Sequence, residues 1–239
     1  MDTSTHPSAF ASATGDIDAI NRRAWSRGST VREYERLHGW TDPGERAAIE
    51  FAANEARGQP ILDIGVGAGR TAQFLEPLAG SYVAIDYTEA MVRAFRKLHP
   101  GVRIEQMDAR DLSAFFDGQF ALVVFSFNGI DAVDHDGRAK VLREVHRVLR
   151  PGGRFLFSAH NNEGPGRGER PGLRIPFTWN PVKLGWRSVK ALGALPRSLS
   201  NHRKYRQLNE EHDGWSMQNA GAHEFGILIM YTTLAEQQR

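Results

Sequence analysis

The chain has 239 residues, of which 41% are hydrophobic and 24% charged, with a formal net charge of +2. That length and balance fit one α/β domain with a modest insertion and exclude a disordered or fibrous chain. The absence of cysteine excludes disulfides, thiolate metal ligands and a thiol nucleophile, and so small a net charge gives no reason to expect a nucleic-acid partner. No run approaches the ~20 apolar residues of a membrane span, and residues 1–15 carry no apolar signal core, so a cytoplasmic location is expected.

Residues 1–15, rich in Ser, Thr and Ala without apolar period, read as a flexible leader. Ile17 to Leu37 and Pro43 to Glu55 carry helical spacing, the second opened by Thr41-Asp42-Pro43, a polar cap followed by Pro in the first turn. Beyond Gly58 short apolar runs alternate with helical stretches. The predicted strands are Pro60–Ile64, Ser81–Ile85, Val102–Met107, Phe120–Phe127 and Arg154–Ala159, and the predicted helices Thr71–Leu78, Glu89–Leu98 and Gly137–Leu149. In the last helix Val141, Leu142, Val145, Val148 and Leu149 form one stripe with arginines opposite, and Arg150-Pro151-Gly152-Gly153 turns the chain into the fifth strand. Such alternation implies right-handed crossovers and a doubly wound, mainly parallel α/β sheet covered on both faces.

The strongest motif is Asp63-Ile64-Gly65-Val66-Gly67-Ala68-Gly69-Arg70-Thr71, a buried strand running through glycines into a helix. Glycines permit a tight turn that touches a ligand, and the helix start offers free N–H groups, although a plain strand-to-helix turn can look alike. Dinucleotide folds use a G-x-G-x-x-G spacing, whereas here Arg70 stands at the sixth position and an acid precedes the turn, which suits an ammonium-bearing ligand. Asp86 ends the second predicted strand, where a carboxylate accepts ribose hydroxyls or caps the next helix, although Thr88 is the better cap. Asp108 follows the third, placed to accept an adenine amino group.

In this order Asp63 to Gly69, Asp86, Asp108, Phe120 to Phe127 and Leu149 to Phe155 resemble the motif series of class I, Rossmann-like S-adenosylmethionine (SAM) methyltransferases, over roughly residues 30–160. The resemblance implies SAM as cofactor and S-adenosylhomocysteine as product. It assigns Asp63, Gly65, Val66, Gly67 and Gly69 to the methionine end, Asp86 to the ribose, and Asp108 with Ala109 to the adenine. Phe125 and Ser126 would flank the methionine amine, while Tyr87 and Met91 pack on the adenosine unless Met91 is ordinary core. It also implies a SAM-binding domain over residues 16–162 with an N-terminal helical lid, in which Tyr34 and Trp40 cover the cofactor or simply pack. Residues 163–239 would form a basic cap and C-terminal segment of the same domain.

The loop Asn128–Asp136 and the end of the fifth strand, His160-Asn161-Asn162, are where an acceptor would meet a base. His160 is the first candidate, being the one histidine at a strand's C-terminal end; Asp131 and His135 follow, although Asp134-His135-Asp136 can equally cap the next helix. No metal is implied. From Pro171 to Asn209 there is no acid, while Arg174, Lys183, Arg187, Lys190, Arg197, Arg203, Lys204 and Arg206 fall there. Val182 to Leu195 sets Val182, Trp186, Val189 and Gly193 on one helical face against Lys183, Arg187, Lys190 and Ala194. Such a helix, over residues 182–197, suits peripheral contact with an anionic membrane or an anionic, sugar-linked acceptor, or is a cap with a solvated basic face. The family's closing strand pair is expected to be shortened or missing, with Phe225–Tyr231 as a substitute edge strand.

The expected activity is therefore methyl transfer to oxygen or nitrogen of a small molecule, with a saccharide or polysaccharide precursor favoured, by a monomer or homodimer. A non-catalytic SAM-binding partner subunit is the alternative. An NAD(P)-dependent oxidoreductase loses on the glycine spacing and on the acids at 63 and 108.

Overall fold

The computed structural model describes residues 9–164, 167–173 and 175–238. It divides into one unit formed by Arg22–Ala159 and a second formed by the chain before and after it, so that His160 falls in the second. Helix α1 (Ala9–Trp25) spans the first boundary. It is helical from residue 9, within the stretch expected to be a leader; residues 1–8 lie outside the described residues.

In the unit Arg22–Ala159, α2 (Gly28–Arg36) and α3 (Pro43–Glu55) precede β1 (Pro60–Ile64), α4 (Ala72–Leu75), β2 (Ser81–Asp86), α5 (Glu89–Leu98), β3 (Ile104–Gln106), β4 (Phe120–Phe125), α6 (His135–Val148) and β5 (Leu149–Phe157). The five strands are all parallel in the order β3-β2-β1-β4-β5. One face of the sheet, with Ile61, Ala84, Leu122 and Val124, packs on Ile49, Ala52 and Ala53 of α3 and Phe95 of α5. The other, with Leu62, Ile64, Val83, Ile85 and Val123, packs on Val141, Val145 and Val148 of α6. Burial on both faces is why these strands read as unbroken apolar runs.

Differences from expectation have local causes. Residues 17–37 are not one helix but two, interrupted at Ser26 and Arg27. The helix after the glycine turn is a single α-turn followed by a 3₁₀ turn, Glu76–Leu78, because Pro77 has no N–H to continue the ladder. β4 stops at Phe125, since Phe127 and Asn128 both take left-handed backbone with φ of 55° and 59°. β5 begins as early as Leu149, and its register against β4 shifts between Phe120 and Leu122.

The second unit holds β6 (His160–Asn161), α7 (Pro181–Tyr205), β7 (Glu210–Glu211), β8 (Trp215–Ala220) and β9 (Ile227–Thr232), and its sheet runs β6-β9-β8-β7. β9 pairs parallel with β6 and antiparallel with β8. Its core gathers Ile17, Ile20, Tyr205, Met217, Leu228 and Met230. Asn21 behaves like an extra strand residue, donating to the Leu228 carbonyl at 2.8 Å and accepting from the Leu228 N–H at 2.9 Å.

The expected loss of the closing strand pair is corrected here: β8 and β9 form an antiparallel pair, and β9 is internal to its sheet rather than an edge. β8 escaped sequence reading because Ser216, Gln218 and Asn219 are polar yet buried. Ser216 Oγ donates to Asn162 Oδ1 at 2.7 Å, and Asn219 Nδ2 donates to the carbonyls of Phe225 and Ile227 at 2.9 Å each. Satisfied in this way, Ser216 and Asn219 bury at little cost, whereas Gln218 accepts from Asn209 Nδ2 at 3.0 Å but leaves its own Nε2 without a partner. Among the described residues no helix is long and apolar enough to cross a membrane.

Candidate functional site

Because β1 to β4 run in parallel, the glycine turn, Asp86, Asp108 and Ser126 all lie at or just beyond their C-terminal ends. β1 and β4 adjoin where the strand order reverses, the position at which open α/β sheets bind ligands. In the turn, Gly65 has a φ of 62°, and a Cβ there would lie 2.6 Å from Phe125 Cε2. Gly67, with a φ of 58°, lies under Tyr34, whose Cδ1 is 3.1 Å from where its Cβ would stand. The Val66 N–H donates to the Ile85 carbonyl at 3.2 Å and so ties the turn to β2.

The three acids differ in setting. Asp63 is fully buried beneath the turn; its Oδ2 accepts from Thr71 Oγ1 at 2.7 Å and from the Tyr82 hydroxyl at 2.8 Å, while Oδ1 has no hydrogen-bond partner. Burial outweighs those two hydrogen bonds and pushes its carboxyl up to about 6. Asp86 also is buried. Its Oδ2 accepts from the Gly67 N–H at 3.0 Å, and its Oδ1 from the Thr88 N–H and hydroxyl at 2.8 and 2.9 Å. Thr88 thus stands at the helix start, but its hydroxyl serves Asp86 rather than the helix. Burial raises the Asp86 carboxyl too, against the hydrogen bonds from Thr88 and Gly67.

At Asp108 burial alone would act upward, but Arg110 more than offsets it and holds the carboxyl below its ordinary range. Arg110 grips it two-handed, Nε to Oδ1 at 3.0 Å and Nη2 to Oδ2 at 2.6 Å. Arg22 also acts on Asp86 and Asp108 electrostatically. It donates to the Tyr87 carbonyl at 2.6 Å, with its guanidinium 4.5 Å from the Tyr87 ring. Nothing local in the sequence marks Arg22, since it meets Tyr87 across 65 positions. Ala109 packs partly buried against the α6 side of the core, and Met91, at 2% exposure, is core rather than an open adenosine contact.

An aromatic group gathers beside the turn. Tyr34 meets Trp25 edge-on at 5.5 Å and Phe127 at 6.2 Å, and Trp40 meets Phe127 at 6.3 Å. Arg70 stands behind it, doubly bonded to Glu45 at 2.6 Å, donating to the Trp40 carbonyl and to Ser126 Oγ, with its guanidinium 4.6 Å from the Phe127 ring. Left-handed backbone at two successive non-glycine residues, Phe127 and Asn128, is strained, and the Asn128 N–H is fixed by Ser158 Oγ at 2.8 Å. That strain aims the Phe127 ring away from the core, where it is exposed.

Of the acceptor-side candidates, Asp131 and His135 belong to the unit Arg22–Ala159 and His160 to the other. Asp131 is wholly buried and paired with Arg138 at 2.5 Å, which corrects its reading as a base: the carboxylate is committed to a guanidinium rather than open to a substrate. His135 opens α6, where Asp134 is the cap, accepting from the Gly137 N–H at 2.9 Å. His160 lies in β6 of the second unit, its ring 5.0 Å from that of Tyr231.

A family model described as a methyltransferase domain matches residues 61–153. Over 201 residues the chain is 30% identical to a ubiquinone biosynthesis O-methyltransferase from Pseudomonas aeruginosa (strain LESB58), covering 79% of this chain and 74% of that protein. The chain belongs to the class I S-adenosylmethionine-dependent methyltransferases. To a ubiquinone biosynthesis O-methyltransferase from Pseudomonas syringae pv. tomato the identity is 31% over 150 residues, and there the match spans 61% of the relative's length. The fold agrees with that of the S-adenosylmethionine-dependent methyltransferase from Mesorhizobium loti, which is 21% identical, with a TM-score of 0.53 over 82% of this chain and 78% of that one.

The cofactor of this methyltransferase is SAM, and the residues present fit it: a buried carboxylate oxygen without a partner beneath the glycine turn suits a cation. An aminoacyl ammonium pairs with the carboxylate form, whereas burial favours the neutral acid. The Asp63 carboxyl is raised, so its contribution to stability is complete at low pH and is lost as pH rises through about 6. Binding runs the other way: SAM affinity is expected to fall about tenfold between pH 7 and pH 5. Calorimetry over that range checks it, with Asp63→Asn expected to remove most of the pH dependence. An affinity that stays constant in the folded wild type would move the ammonium elsewhere.

Proposed function

We propose that this methyltransferase carries the methyl group of SAM to a hydroxyl oxygen of a small ring-bearing acceptor. The observation that carries the reading is the pair Trp40 and Phe127, 49% and 41% exposed at the mouth of the glycine turn, because open aromatic faces there serve a planar or apolar substrate. SAM, when bound, supplies a methyl on a sulfonium whose charge disperses on transfer. Of the chain's own groups, Asp86 is suited to the ribose diol and Asp108 to the adenine amine, which competes there with Arg110. Trp40, Phe127 and Tyr34 exclude water and orient the acceptor. His160 is the candidate to take the hydroxyl proton.

The names of the two Pseudomonas relatives support oxygen over nitrogen, and a ring hydroxyl over the saccharide expected from sequence. The test is incubation with methyl-labelled SAM and three acceptor sets: hydroxylated aromatic rings, amines, and nucleotide-linked sugars. A labelled aryl methyl ether is expected. Label confined to the amine or sugar set overturns the acceptor class, and SAM binding without turnover on any set overturns the catalytic reading in favour of a SAM-binding subunit.

A further inference from the structure

The second unit carries a surface that the methyl-transfer site does not use. α7 begins at Pro181, capped by Asn180, whose Oδ1 accepts from the Lys183 N–H at 3.0 Å. The helix is anchored at its far end: Tyr205 is buried, Asn201 Nδ2 donates to the Glu224 carbonyl at 2.9 Å, and Arg197 pairs with Glu224 at 3.2 Å. Along the first four turns the half-buried positions are Leu184, Arg187, Ser188, Ala191, Ala194 and Leu195, which at helical spacing make one broad face. The opposite face is apolar and turned outward: Val182 at 79%, Trp186 at 65% and Val189 at 70% exposure. Just before the helix Trp179 is 91% exposed and edge-on to Phe177 at 5.0 Å, and Arg187 binds this segment by donating to the Pro176 carbonyl at 3.0 Å.

A soluble helix normally buries its apolar stripe and exposes its charges; here both point outward side by side. Lys183 and Lys190 flank the stripe, with Lys190 Nζ 5.6 Å from the Trp186 ring, and no acid occurs anywhere from Pro171 to Asn209. Exposed tryptophans beside lysines, without a carboxylate, match an interface that is apolar at depth and negative at its rim. A second copy of the chain would set two acid-free basic stripes against each other, which like charge opposes. We infer that the face Phe177–Arg197 lays α7 on an anionic lipid surface, with Trp179, Trp186, Val182 and Val189 entering the headgroup boundary and Lys183 and Lys190 meeting lipid phosphates. This inference does not rest on the choice of acceptor.

The test is co-sedimentation of the full chain with vesicles of phosphatidylcholine alone or mixed with phosphatidylglycerol, with tryptophan emission read in parallel. The chain is expected to pellet with the mixed vesicles and not with phosphatidylcholine alone, with a blue-shifted emission. Raising the salt from about 0.1 M to about 1 M should release most of it. Lys183→Gln with Lys190→Gln is expected to weaken partitioning about thirtyfold. Trp179→Ala with Trp186→Ala should weaken it at least about tenfold. All four side chains lie on the surface, and unchanged circular dichroism checks that the fold is kept. A chain left in the supernatant with both lipids overturns the inference, as does binding that neither double variant weakens. A lipid-free dimer dispersed by Trp186→Ala overturns it in favour of a second copy.

Discussion

Replacing Arg138 with Ala lowers the free energy of unfolding by about 3–5 kcal/mol, because it strands the Asp131 carboxylate in the core without its counter-charge. Asp131 is wholly buried, and Arg138, itself buried, meets it at 2.5 Å while its guanidinium lies 5.7 Å from the Phe157 ring. The pair joins the turn that follows β4 to the first turns of α6. Urea unfolding of wild type and variant measures the loss. Removing both charges, Asp131→Leu with Arg138→Met, is expected to recover most of it, since a matched apolar pair costs less to bury than one unpaired ion. Should Arg138→Ala unfold like the wild type, the pair contributes nothing and Asp131 regains its place among the candidate bases.

His160→Ala is expected to lower turnover about 10²–10⁴-fold, the usual contribution of a positioned general base, while leaving SAM affinity nearly unchanged. A hydroxyl acceptor must shed its proton as the new bond forms, and of the three candidates His160 is the imidazole that follows β5 directly along the chain, three residues beyond Phe157. A pH dependence of wild-type turnover that disappears in the variant would mark a titrating base. A structural His160, held by its backbone pairing with Tyr231 and the ring contact there, would lower stability or SAM affinity together with rate. Wild-type turnover with an unaltered pH profile in the variant removes His160 from the chemistry. It would also favour an amine acceptor, which positioning alone can bring to reaction.

The sequence by itself determined the parallel α/β core and the ligand edge. Apolar runs at 60–64, 81–86 and 120–125 can bury on both faces only between helices, and α3 and α5 match their predicted bounds because their ends are written locally. At α3, Asp42 accepts from the N–H groups of Gly44 and Glu45 at 2.9 and 3.0 Å, with Pro43 at the first helical position. The spacing of Asp63, Asp86 and Asp108 likewise follows from one strand, one helix and one turn each, which sets all three acids on one side of the sheet.

Only the tertiary structure decided what those acids touch. Tyr82 and Thr71 close on Asp63, Arg110 holds Asp108, Arg70 spends its charge on Glu45, and Arg138 takes Asp131 out of contention as a base. It also turned the polar run Ser216–Asn219 into the buried strand β8. Hydrophobic period reports which side of an element faces a core, a local property. A polar side chain's partner is instead chosen by whichever distant group packing brings within about 3 Å, and a buried polar group commits to that partner because burial without one is too costly.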